Sequence, residues 1–442
     1  MFLKRLIRRT HMEPDHVDLT SGSTGPRYIF FDNLRFLFVC FVVLQHAGMA
    51  YSWSDWWPVV DDSSIFVTSL VALFDGFLMP ALFYIAGYFA IPSIAKKTIS
   101  TFVFGKFKRL GALWLVCILF VCPMLPLIYH YTRDGLRLTS SYAVIWLRLM
   151  GNAIRFDIGM MLPMNQLMQN DLFYQRYMWF IALLIAFFLI FALVYRLKPG
   201  WFESMDQELI LKKASIRSTL KTILTIGLLT FSGSTALIVL MFSVTSGVTN
   251  PESWFTLGNF VQFRVSRIFL HSTYFILGIL TYKRNWIQSG KFPGRLNIWM
   301  ISFLLTFIAY FSSILLVKTS SGTQAQLFGL VAWFWLNFFT ISALGLSMAL
   351  ALKYWNRSTA LNRNLASNSY NLYLTHYVFV LGFQLFFIQV QQMPVGFKYL
   401  AVSTLALFCG YLVSQFLIKP FPKITVAAVA GIFAAMMMML RI

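Results

Sequence analysis

Charge is what this sequence has least of. Only 12% of its 442 residues are Asp, Glu, Lys or Arg, against about 25% in a soluble globular chain, and carboxylates are the scarcest, at 15. With 58% apolar residues and 18% aromatics, too little polar side chain remains to cover a soluble fold of this size. Cysteine is nearly missing too. Cys40, Cys117, Cys122 and Cys409 fall inside apolar runs without a C-x-x-C pair or zinc-like spacing, which excludes a disulfide framework and leaves no metal site to propose. They read as core filler. Ten-residue alternating patterns are lacking, which excludes a membrane barrel. A cleavable signal peptide needs an apolar run directly after its basic start, but Lys4, Arg5, Arg8 and Arg9 lead into the polar segment His11 to Pro26. The first apolar helix is therefore expected to stay in the mature protein. No internal repeat, low-complexity tract or separate soluble domain is present.

What the sequence does have is long apolar runs. A hydrocarbon core about 30 Å thick takes roughly 20 helical residues to cross, and only helices satisfy their own backbone groups there. Runs of that kind lie near 28–51, 65–91, 110–128, 177–195, 222–245, 268–282, 297–317, 326–352, 369–391 and 399–418. The expected fold is all-α, a polytopic transmembrane helical bundle of about ten spans. A further apolar stretch, Ile424 to Leu440, is either an eleventh span or a helix lying in the interface. Three parts follow: a basic N-terminal tail at 1–27, a membrane domain at 28–423 and an apolar tail at 424–442.

The net charge of +21 does not indicate a nucleic-acid partner, because the Lys and Arg residues are spread over the short connections between apolar runs. Their distribution gives orientation instead. With the N-terminus cytoplasmic, most of them fall inside, including Lys96, Lys97, Lys106, Lys108 and Arg109. The first opposite connection, Ser52 to Ser64, holds three Asp and no Lys or Arg. The connection from Tyr129 to Arg176 is the longest on that outer side. Its apolar stretches at Ile145 to Met150 and Ile158 to Met164 are expected to form helices resting on the surface.

Ionisable groups at membrane depth are costly, so each is a functional candidate. Asp32 and Asp75 are the carboxylates within spans, and Arg35, His46, His271 and His376 the main basic groups. Asp32 and Arg35 are three residues apart, and His46 follows Arg35 by eleven, so one helix face carries all three with about 16 Å between Arg35 and His46. The plainer account is a self-neutralising Asp32/Arg35 pair and a hydrogen-bonded histidine. Asp75 is expected about 7 Å from His46 in depth. It either reaches the imidazole and orients it, as a carboxylate does in a triad, or bonds to backbone beside Pro80. His376 is placed roughly 10 Å above the cytoplasmic end of its span, and His271 reads as structural. The run Lys106 to Arg109 either anchors to anionic lipid or cradles the phosphates of an anionic cosubstrate.

Several segments together resemble the acyltransferase 3 family of multi-spanning membrane O-acyltransferases. Arg27 to Arg35, running on to Leu44-Gln45-His46, is similar to that family's first-helix signature. Leu82 to Phe89 is similar to its SGYF element, and Lys106 to Leu110 to its basic run. Tyr177 to Ile181 is similar to an HLWFL element, Tyr274 to Gly278 to a phenylalanine-glycine helix, and Ser369 to His376 to an S-x-x-x-Y-L-x-H helix. Within the family the motif style is closest to the glucan biosynthesis protein C group, with Ala86, Tyr177 and Lys106 departing from its usual Ser, His and Arg.

The resemblance implies an acyltransferase of the bacterial inner membrane, with acyl-CoA as cytoplasmic donor and a carbohydrate or glycan hydroxyl as acceptor. No permanently bound cofactor is expected. On that reading His46 is the general base, with Asp32 and Arg35 beside it on the helix. Arg35, Lys106, Lys108 and Arg109 hold the donor's anionic groups, while Trp179, Tyr373, His376 and Asp75 line the substrate path. The alternative is a proton-coupled transporter or an exporter of a polysaccharide or small metabolite, since buried His, Asp and Arg also describe such proteins.

Overall fold

The computed structural model describes residues 29–134, 142–160, 162, 166–167, 173–202, 215–244, 250–289 and 292–439. The expected N-terminal tail at 1–27 lies outside them. Among the described residues the main elements are twelve longer helices and three short strands, in the order α1 (Ile29–Met49), α2 (Ile65–Tyr88), α3 (Ile99–Arg133), α4 (Tyr142–Ile154), β1 (Ile158–Met160), α5 (Trp179–Leu197), α6 (Ile216–Val244), β2 (Trp254–Leu257), β3 (Val261–Arg264), α7 (Val265–Lys283), α8 (Leu296–Thr319), α9 (Gly322–Tyr354), α10 (Ala360–Phe387), α11 (Val395–Val413) and α12 (Pro422–Met439). Each of the ten expected spans contains a helix, giving a polytopic helical bundle.

Eight of these helices are long and apolar enough to cross a membrane. The two that fall short in apolarity are α7 and α10. Both spend membrane-depth positions on polar side chains, Arg267 and His271 in α7 and Asn368, His376 and Gln384 in α10. A span is least apolar where it carries a site.

Small residues decide how closely two of the helices approach. Gly87 on α2 lies against the backbone of Phe275, and Gly278 on α7 against the backbone at Tyr84, with no room for a Cβ at either position. Reciprocal glycines let helix backbones touch where lipid offers no hydrophobic drive to association. This contact sets α7, and the hairpin leading into it, against α2.

Helices α1 and α10 start at a common level. The Phe30 N–H donates to Asn356 Oδ1 at 3.2 Å, and Asn33 Nδ2 to the Trp355 carbonyl at 2.8 Å. Thr359 then caps α10, its hydroxyl accepting from the Asn362 N–H at 3.0 Å. His46 lies about 26 Å along α1 and His376 about 24 Å along α10, so the two rise to the same height. Apolarity alone starts this helix at 369, nine residues after its true start at Ala360, and so places His376 too close to the beginning of its span.

The connection between α3 and α5 also departs from expectation. Ile145 to Met150 is helical within α4, but Ile158–Met160 is a strand. It pairs antiparallel with β2, Ile158 opposite Leu257, and β2 pairs with β3, Trp254 opposite Arg264. A partner strand 95 to 99 residues away in sequence supplies its backbone hydrogen bonds, and tertiary pairing overrides local apolar patterning. The hairpin turns at Gly258 and Asn259, whose φ values are +61° and +58°, a region that Gly and Asn tolerate.

The apolar tail forms α12. Phe433, about 17 Å along it, packs on Phe120 of α3 and on Tyr142 and Trp146 of α4. The tail helix therefore runs beside α3 toward the end of the bundle that holds α4.

Candidate active site

His46 sits near the end of α1, and two other segments converge on it, α10 and the loop that follows α1. From α10, His376 Nε2 lies 2.9 Å from His46 Nδ1. From the loop after α1, the Trp57 ring stacks on the imidazole, centroids 5.4 Å apart and planes 13° from parallel. Tyr377 of α10 meets the same imidazole edge-on at 5.2 Å and stacks on Tyr177, just before α5, at 4.4 Å. His376 is wholly buried, whereas His46 keeps some exposure.

That loop is no loose connection. Trp57 is buried and its indole N–H donates to Gln384 Oε1 at 2.8 Å. Gln384 Nε2 in turn donates to the carbonyls of His46 and Ala47 at 3.0 and 3.1 Å. Arg133, at the end of α3, reaches the carbonyls of Asp55, Trp57 and Pro58. Lys398 pairs with Asp61 at 2.7 Å, both almost out of solvent. The loop is thus fixed from three helices, α3, α10 and α11.

Beneath it lies a cavity of about 100 Å³ walled by Trp56, Trp57, Trp179 and Trp254, by Tyr174, Tyr177, Tyr373 and Tyr377, and by the polar groups Gln45, His46, Asp75, Arg176 and Arg264. The hairpin contributes Trp254 and Arg264. Gln175 holds the hairpin in place, donating to the carbonyls of Asn259 and Phe260 at 2.7 Å each, while its own N–H donates to Gln262 Oε1 at 2.9 Å. The next residue, Arg176, is buried with φ +56°, a backbone region that costs a non-glycine residue free energy and clusters at functional sites. Burial pulls the Arg264 guanidinium down, but Glu252, 2.7 Å away, and Asp75 more than offset it and hold the group above its ordinary pKa. Arg264 is a permanent positive charge on the wall.

Asp75 does not take up the triad role. Its carboxylate accepts from Gln45 Nε2 at 3.2 Å and pairs with Arg267 at 3.1 Å, and the group against His46 Nδ1 is His376. His271, one turn along α7 from Arg267, stacks on Trp179 at 5.4 Å and supports that ring from behind.

The structure therefore gathers His46, Asp75, Trp179 and Tyr373 around one cavity, sets His376 against His46 outside the cavity lining, and leaves the other predicted residues elsewhere. Asp32 and Arg35 form an ion pair at 3.1 Å near the start of α1, about 16 Å from His46 along the helix. Lys108 and Arg109 are exposed, while Lys106 lies over the Phe188 ring at 3.8 Å. One link joins this region to the site. The Tyr370 hydroxyl donates to the Arg109 carbonyl at 3.2 Å, and Tyr370 lies about 9 Å below His376 on α10.

Sequence reasoning missed Trp57, Gln384, Arg176, Arg264, Trp254 and Tyr377. Two signals were available. Trp56-Trp57 is a paired aromatic in a loop with three Asp, and Tyr377 adjoins a histidine already singled out. The arginines and Trp254 gave none, because their place depends on a hairpin without local markers beyond Gly258-Asn259.

The geometry is that of a histidine pair held beside an aromatic, charged cavity within a bundle of membrane helices. The acyltransferase domain family matches this chain over residues 28–436, and the protein belongs to that family, acyltransferase 3. The match runs from the start of α1 into α12. It is a multi-pass membrane acyltransferase. Neither a curated protein nor a solved structure matches the chain.

Proposed function

We propose that the protein transfers a short acyl group from acyl-CoA, bound from the cytoplasm, to a hydroxyl of a carbohydrate or glycan at the outer face of a bacterial inner membrane. The observation that carries this reading is the cavity wall beside His46. Its aromatic faces suit the apolar faces of sugar rings, while Asp75 and the guanidiniums of Arg176 and Arg264 suit hydroxyl and ring oxygens. Its volume favours acetyl, succinyl or a group of that size over a long chain. The subgroup resemblance, to the glucan biosynthesis protein C group, supports a glycan acceptor.

In the proposed reaction His46 removes the acceptor hydroxyl's proton as the oxygen attacks the thioester carbonyl. The new C–O bond forms, the C–S bond breaks, and His46 returns the proton to the departing thiolate, giving an ester and coenzyme A. Arg35, Lys108 and Arg109 hold the donor's phosphates. With its N-terminus cytoplasmic, the protein presents these groups on the donor side. An extended pantetheine arm then spans the roughly 16 Å of helix between Arg35 and His46.

The test uses purified protein in lipid nanodiscs with labelled acetyl- or succinyl-CoA and an oligosaccharide acceptor, reading labelled ester by mass spectrometry. His46→Ala is expected to lower kcat by about 10²–10⁴-fold, the usual worth of a general base. Transfer at the normal rate by that variant would remove His46 from the chemistry. Acceptor flux across sealed vesicles that persists without acyl-CoA would point to a carrier instead.

A further inference from the structure

We propose that His376 is a positioning residue that fixes His46 in the one tautomer able to act as a base. The inference rests on the reading of His46 as general base and adds to it the group that makes the base available.

The argument is one of donors and acceptors. His376 Nδ1 lies 2.5 Å from the carbonyl oxygen of Tyr373, one turn back on the same helix. A carbonyl oxygen only accepts, so Nδ1 of His376 carries the proton. In a neutral imidazole the other nitrogen then presents a lone pair, and that nitrogen, Nε2, is the one 2.9 Å from His46 Nδ1. Two facing ring nitrogens need one donor and one acceptor. His46 Nδ1 therefore donates, and the proton is assigned away from His46 Nε2, which keeps its lone pair for the acceptor hydroxyl.

The chain of assignments begins at a helix carbonyl, which neither rotates nor titrates. It thus does for His46 what a carboxylate does for the histidine of a hydrolase triad, namely hold tautomer and ring orientation. A neutral imidazole serves here because the dyad is buried, where a second carboxylate would need its own cation. Asp75, the alternative orienting group, is already held by Gln45 and Arg267. When His46 takes the hydroxyl proton, its Nδ1–H···Nε2 bond becomes charge-assisted and strengthens. The cation formed also lies flat on Trp57.

Three substitutions test this in the full-length protein in nanodiscs. His376→Leu removes the acceptor. His376→Gln places a carbonyl oxygen near the position of Nε2, and His376→Asn, equally polar but shorter, places one near Nδ1 instead. The Leu and Asn variants are expected to lose about 10²-fold or more in kcat, with KM for the acceptor changed less than about twofold. The Gln variant is expected to recover to within about tenfold of wild type. Equal loss in Gln and Asn, or wild-type kcat in the Leu variant, overturns the proposal. A variant that fails to fold is recognised by its thermal unfolding, and the Gln-against-Asn contrast then decides. His46→Ala, measured alongside, separates the two readings: if it stays active the base assignment fails, and if it is inactive while His376→Leu is not, only the role of His376 fails.

Discussion

The two ends of α1 handle polar groups in opposite ways. Around His46 polar and aromatic groups are bonded to partners from other elements: Gln384 to the backbone of α1, Trp57 to Gln384, His376 to His46. Around Asp32 the pair with Arg35, three residues on in the same helix, keeps partial exposure, and the basic run leaves Lys108 and Arg109 open to solvent. Burial makes each hydrogen bond at the His46 end costly to lose and each direction fixed. Exposure at the Asp32 end leaves long-range, salt-screened attraction that tolerates a large and flexible partner. A buried end suits bond-making and an exposed end suits capture, so substitutions should change kcat at one and KM for the donor at the other.

The largest effect is expected from Trp57→Ala. It deletes a buried ring that stacks on His46 and carries the bond to Gln384, and Trp→Ala in a packed site costs about 3–5 kcal/mol. Activity should fall with the melting temperature. Trp57→Phe keeps a ring over the imidazole but leaves Gln384 Oε1 unbonded, for a cost of about 1–3 kcal/mol. The comparison is sharpened if the Phe variant retains much of its kcat at a lower Tm. It breaks if both variants bind donor poorly and turn over normally.

At the other end, Lys108→Gln combined with Arg109→Gln should raise KM for acyl-CoA by about tenfold, roughly 1.4 kcal/mol, and leave kcat nearly unchanged. Raising the salt concentration should erase most of the difference from wild type, because exposed charges are screened beyond about 8 Å at physiological ionic strength. A double variant with reduced kcat and unchanged KM would assign the basic run to membrane anchoring or packing and remove it from the donor site.

How far the two ends were legible in the sequence also differs, for the same reason. Asp32 and Arg35 are near neighbours in the chain, and so, separately, are Lys106 to Arg109, so local spacing marked each group, and apolar run length alone located the spans. His46 and His376 are 330 residues apart. Their titratable character at membrane depth marked each as a candidate, but nothing in the spacing paired them. The estimate of depth for His376 failed because apolarity marks the start of a span poorly when the first turns are polar, as in Asn362 to Asn368. Arg264 and Trp254 were hidden more deeply, since a strand of four residues has too few positions to show a period. For Asp75 the sequence leaves His46 and the backbone as alternative partners, and the carboxylate bonds to Gln45 and Arg267 instead, because position on one helix does not fix which way a carboxylate turns.

The finest comparison lies between the His46 loop and the helix surface beyond it. Arg133 reaches three carbonyls of that loop with one planar group, while Arg148, on α4, is exposed. Lysine keeps the charge at either position but cannot spread its donors in the same fork. Arg133→Lys is therefore expected to lose about 1 kcal/mol through the missing bonds, with kcat reduced a few-fold as Trp57 shifts over His46. Arg148→Lys should change neither. Equal, unmeasurable effects of the two substitutions on Tm and kcat would mean that the loop is held by Lys398 and Gln384 alone, and that the order around His46 comes from the helices beneath it rather than from the clamp at its rim.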